Sequence, residues 1–74
     1  MMSRYSLLIE WSKADGLYLV TIPEFQGRVM QPCTAGKTYE EALYNAQDCI
    51  QACIEAWEAT EEDVPSPREF AIAS

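Results

Sequence analysis

The chain has 74 residues, five of them Lys or Arg against twelve Asp or Glu, with no histidine and a net charge of −7. That length leaves room for one domain over residues 1–74, which buries only about 60% of its extended surface on folding and so gains from pairing with copies or partners. The negative field repels phosphate backbones, which argues against direct binding of DNA or RNA and makes a basic protein the better-suited partner.

Residues 5–11 alternate, with Tyr5, Leu7, Ile9 and Trp11 pointing one way and Ser6, Leu8 and Glu10 the other, a strand pattern. Asp15-Gly16 supplies the dipeptide that a two-residue type I′ hairpin wants, because both central residues need positive φ. A second strand over residues 17–22 then pairs Trp11 with Val20, Ile9 with Ile22 and Lys13 with Tyr18. This register brings the apolar residues of both strands to one face, whereas a slip of one residue would scatter them.

Pro23 to Gly27 reads as a loop, since proline donates no ladder hydrogen bond and glycine permits a tight return. A short third strand is expected over residues 28–31, ended or confined to an edge by Pro32. Residues 33–37 lead into a helix.

That helix, residues 38–62, organises the chain. Tyr39, Ala42, Leu43, Ala46, Cys49, Ile50, Cys53, Ile54 and Trp57 fall in one arc at helical spacing, as a half-buried helix requires. Glu41, Asp48, Glu55 and Glu62 recur at heptad spacing on the far side. Thr38 followed three residues later by Glu41 makes a capping box: the hydroxyl accepts from an unpaired N–H and the carboxylate reaches back. Glu40 and Glu41 also suit the positive end of the helix. The acids Glu61 to Asp63 and the breaker Pro65 mark its end, and an acidic, proline-punctuated connector follows. Residues 68–73 alternate weakly, with Phe70 and Ile72 on one side, as a fourth strand, a docked or frayed terminus, or a segment reaching a second copy. The expected class is α+β: a three-stranded antiparallel sheet with one long helix packed on one face.

The order of these motifs resembles the HicB-like antitoxin family. Asp15-Gly16 is followed by Ile22-Pro23-Glu24-Phe25-Gln26-Gly27, where the family has a Pro-Glu-Leu-Pro-Gly segment. Next comes Gly36-Lys37-Thr38-Tyr39-Glu40-Glu41-Ala42-Leu43-Tyr44-Asn45-Ala46, where it has Gly-Asp-Thr-x-Glu-Glu-Ala-x-x-Asn-Ala. The resemblance covers the chain to about Trp57 and implies a partial ribonuclease H-like β-β-β-α-β arrangement. It also implies a role: sequestering a small basic ribonuclease toxin of the HicA type by occluding it, without catalysis by this chain. Lys37 departs from the usual acid before the cap threonine, and the span from Gly27 to Gly36 is longer than the common spacing. Many family antitoxins carry a C-terminal DNA-binding segment, and the ten residues from Pro65 to Ser74 are too few for one. The alternative is a stand-alone oligomeric member, an interaction or ligand-binding module with no toxin.

Each candidate site has a plainer reading beside it. Glu10 is the one carboxylate near where a two-metal nuclease cluster would begin, but no acids converge on it, and a solvated strand glutamate is the expected state. Cys49 and Cys53 are one helical turn apart, with Cys33 a third thiol and no histidine to complete a metal set, so buried packing is favoured over ligation. Trp11, Tyr39 and Trp57 read as core rather than as a stacking platform, with Trp57 near an interface. No catalytic residue, cofactor or metal is expected. Leu8 and Leu19 lie diagonally on the otherwise polar sheet face, either as isolated surface leucines or as a homo-oligomer contact, dimer or higher. Glu41, Asp48 and Glu55 are either a solvated stripe or the face that meets a basic toxin. No apolar run reaches the length of a membrane span, about 18 residues, and the N-terminus lacks a signal pattern, so a cytoplasmic protein is expected.

Overall fold

The computed structural model describes residues 4–68. In chain order it contains β1 (Leu8–Ser12), β2 (Leu17–Thr21), a 3-10 turn (Pro23–Phe25), β3 (Thr34–Gly36) and α1 (Tyr39–Ala59). The strands form one antiparallel sheet in the order β1-β2-β3, and α1 crosses one face of it. The α+β architecture is the one the sequence pattern dictates. A fourth strand would fall on residues that lie largely outside the described range.

The β1–β2 register differs from the expected one by two residues. Ile9 opposes Val20, Trp11 opposes Tyr18 and Ser12 opposes Leu17. The loop is therefore four residues, 13–16, closed by Gly16 N–H donating to the Ser12 carbonyl at 2.8 Å. Ser12 Oγ donates to the Asp15 carboxylate at 2.8 Å and accepts from the Asp15 N–H at 3.3 Å. Gly16 takes a positive φ of 64° and Asp15 does not, which rules out the I′ turn. An even shift preserves side-chain parity, so the same residues still face the helix.

The third strand is displaced more. Residues 28–31 form no ladder beyond a bridge between Gln26 and Val29, and β3 lies at Thr34–Gly36. The Gln31 side chain explains the delay. Its amide accepts from the Ile22 N–H at 3.3 Å and donates to the Ile22 carbonyl at 2.9 Å, so a side chain takes the hydrogen bonds that a third strand would have made there. The Gln31–Pro32 peptide is cis, and Pro32 has no N–H to give. Main-chain pairing resumes where Cys33 N–H reaches the Val20 carbonyl at 2.9 Å.

α1 begins as its cap sequence requires: Thr38 Oγ1 accepts from the Glu41 N–H at 3.0 Å. The Glu41 carboxylate accepts from the N–H of Lys37, also at 3.0 Å, one residue earlier than a standard capping box. At the other end Glu61 adopts φ 56°, Glu61 N–H reaches the Glu58 carbonyl at 3.2 Å and Glu62 N–H the Trp57 carbonyl at 2.8 Å. That pair of bonds is a Schellman motif with glutamate in the position glycine usually takes.

Two clusters make the core. Val20 packs with Ala42 and Ala46, and Ile22 and Phe25 pack with Ile50 and Trp57. The two alanines bring α1 close to β3, and Gly36 permits the approach: a Cβ there would lie 2.7 Å from Ala42 Cα and 2.8 Å from the Glu41 carbonyl carbon. Phe25, read from sequence as part of a loop, is the largest fully buried side chain. It makes edge contacts with Tyr5 and Trp57 at centroid distances of 5.1 and 4.9 Å. Burying a side chain of that size contributes about 2 to 3 kcal/mol.

Candidate partner-binding surfaces

The outer face of α1 carries the acidic stripe. Glu41, Asp48 and Glu55 are all exposed. Glu41 is partly committed to the Lys37 N–H, and Glu55 accepts from Gln51 Nε2 at 2.9 Å one turn earlier. The helix is capped at both ends, so these carboxylates stand on a rigid element.

The sheet face turned away from α1 holds Leu8, Glu10 and Ser12 from β1, Leu17, Leu19 and Thr21 from β2, and Ala35 from β3. Leu8 is 48% exposed and Leu19 is half-buried, diagonal to each other as expected. Leu17 and Ala35 extend that apolar face. Spacing alone does not mark them, because Leu17 directly follows the turn and Ala35 falls outside the expected third strand.

On the helix side the structure corrects the expected core. α1 packs on β3 and β2 and hardly on β1. Trp11 is therefore 55% exposed and Tyr39 59% exposed, rather than buried, and Leu43 is at the margin with 36%. The three rings Trp11, Tyr18 and Tyr39 form a row, with an edge contact at 4.9 Å and a stack at 4.4 Å between centroids. Trp57, by contrast, is in the core as expected, 7% exposed.

Beside Trp57 lies a guanidinium cradle. Arg28 stands over its ring at 4.5 Å, donates to the Asp63 carbonyl at 2.8 Å and lies 3.9 Å from the Glu62 carboxylate. A second polar hub sits at Glu24, whose carboxylate accepts from the Ser6 N–H at 2.9 Å, the Ser6 hydroxyl at 3.1 Å and the Arg68 N–H at 2.8 Å. Burial opposes its charge, but these donors outweigh it and hold the carboxyl below the usual range. Its fixed place among N–H donors explains a glutamate after Pro23 better than exposure to solvent would.

Of the remaining candidates, Glu10 stands on the open sheet face, whereas the three thiols lie against one another. Glu10 is exposed opposite Leu19, and no group of three side chains placed to hold a metal ion occurs among the described residues. Cys33, Cys49 and Cys53 are free and half-buried. Burial, first, pushes all three thiols above the usual range, which leaves little thiolate at neutral pH. No pocket is enclosed among the described residues, and none of their helices is long and apolar enough to cross a membrane. What the surface offers is open faces, which suit protein contact.

No family model matches the chain, and no solved structure matches it. Among curated proteins, the UPF0150 protein Ta0767 of Thermoplasma acidophilum is 36% identical over 62 residues, which span 84% of this chain and 83% of that protein.

Proposed function

Because the chain belongs to the UPF0150 family, we propose that it is a HicB-like antitoxin-type binding protein, which sequesters a small basic HicA-type ribonuclease toxin in the cytoplasm by steric occlusion. The partner supplies the chemistry and this chain supplies surface. One observation carries the reading: Glu41, Asp48 and Glu55 stand exposed along the outside of a helix fixed at both ends, on a molecule of charge −7. Such a face steers a cationic protein and competes with its RNA for the same basic groups. The ordered motifs around Pro23 to Gly27 and Gly36 to Ala46 support the same assignment by resemblance.

The test is to search the neighbouring reading frames for a short basic protein and to co-express it with this chain. A stable complex that abolishes the partner's RNA cleavage is the expected result. Asp48→Lys with Glu55→Lys should slow association at least tenfold at low salt, with a smaller effect at high salt. A neighbour-encoded ribonuclease that stays active and unbound in the presence of this chain would sink the assignment. The bare leucine face of the sheet favours a second reading, a stand-alone oligomeric interaction or ligand-binding module. A chain that forms oligomers and has no basic neighbour would support it.

A further inference from the structure

We propose that the ring row Trp11, Tyr18 and Tyr39, with Leu43 beside it, is the place where a basic protein segment docks, laying an arginine against the exposed rings. The proposal rests on the reading of this chain as a binder of a basic protein and names where the tight contact forms, which is not the acidic outer face of α1.

The fold leaves the row uncovered. α1 lies over β2 and β3, with Asn45 Nδ2 donating to the Ala35 carbonyl at 2.7 Å on the β3 side. Tyr39, in the first turn of the helix, stacks on Tyr18, and Leu43 follows one turn later. More than half of Trp11 and of Tyr39 faces solvent. A lone exposed apolar side chain is ordinary, but three contiguous rings and a leucine in a small acidic chain form a patch. The rings already fix one another at 4.9 and 4.4 Å, so covering them costs little side-chain entropy. Aromatic side chains held this way are the usual centres of binding energy at protein interfaces.

Charge decides the occupant. The row's neighbours in sequence include Lys13 and Lys37 as well as Asp15 and Glu40, and the chain carries twelve acids against five cations, so a negative field dominates at a distance. A second copy would bring another seven negative charges to the same place, whereas a basic segment is drawn in. The molecule already contains the chemistry at its other end, where the Arg28 guanidinium lies over the Trp57 ring with a carbonyl and a carboxylate at its edge. Arginine stacks on such rings better than lysine does.

With two tryptophans in the chain, an isotope-labelled sample gives two indole N–H signals, one exposed and one buried. The probe is a short helical arginine–leucine peptide, with its lysine–leucine counterpart as control. The expected result is a shift of the Trp11 indole with Trp57 unmoved, and tighter binding of the arginine peptide. Trp11→Ser or Tyr39→Ser should weaken it about 30-fold while leaving the circular dichroism unchanged, and Tyr39→Phe should retain it. An arginine peptide that leaves the Trp11 signal in place overturns the proposal. So does a Trp11 signal that moves with chain concentration alone as the sedimentation mass doubles, because the row is then a self-contact. The two readings fail separately. A neighbour-encoded basic protein held equally well by the Trp11→Ser and wild-type chains removes the row and keeps the binder. A row that takes the peptide in a chain that leaves its neighbour's ribonuclease unbound removes the antitoxin and keeps the row.

Discussion

Glu24 does more for the fold than its place in a loop suggests. One carboxylate holds the backbone N–H groups of Ser6 and Arg68, 62 positions apart in sequence, while the Tyr5 hydroxyl donates to the Pro65 carbonyl. Its folded-state pKa lies below the usual carboxylate range, so its contribution is complete above the unfolded value and is lost as pH falls through the folded one. Glu24→Gln should therefore cost about 1 to 2 kcal/mol at neutral pH, the lower part of that range because the site is partly solvated. It should also flatten the acid limb of stability below about pH 4.5. Denaturant titrations of both proteins from pH 7 to about pH 3 check this, and parallel acid limbs would refute it. At this scale the sequence concealed as much as it showed. Phe25 sits among breakers with no period to mark it as core, and Gly36 reads as punctuation although its lack of a Cβ is what admits Ala42. Trp11 and Tyr39 obey the core pattern and still face water, because pattern names a face and not how far the covering element extends.

Elements were legible where a period was sustained. The long stripe and the Thr38 cap locate α1 to within a residue at its start, and strand alternation locates the second hairpin strand and the end of the first, which begins at Leu8 rather than Tyr5. β3 was not legible, because the feature that displaces it is a side-chain amide standing in for a peptide at Ile22, which no spacing announces. The end of α1 hides a similar surprise in Glu61, a left-handed residue with a Cβ that costs about 1 kcal/mol relative to glycine. Glu61→Gly should raise stability by about 0.5 to 1 kcal/mol, with Tm up by roughly 3 to 6 °C, after allowance for the freer unfolded chain. Glu61→Val should lower it. Calorimetry on the three proteins decides; unchanged or reversed order would mean that the Schellman geometry is not held in solution.

At the scale of the molecule, the described helix and strands leave apolar side chains open on opposite sides of the sheet. Among the strand residues of the face with Leu8, Leu17, Leu19 and Ala35 the acid is Glu10, and that face suits a second copy better than the ring row does. The expectation is an oligomer of at least two chains through this face. Leu8→Lys with Leu19→Lys should reduce the sedimentation mass to that of one chain; a mass unchanged by the pair would exclude the contact. Division of labour follows if both proposals hold, with self-association on one side and partner capture on the other.

The carboxylate that ties Ser6 to Arg68 also decides where the ends of the described chain lie. β1 runs from that knot toward the hairpin over about 17 Å, so both ends of the described chain emerge far from Trp11. The two ends of the described chain are thus tied together by one carboxylate at the end of the sheet away from the hairpin, not beside the rings.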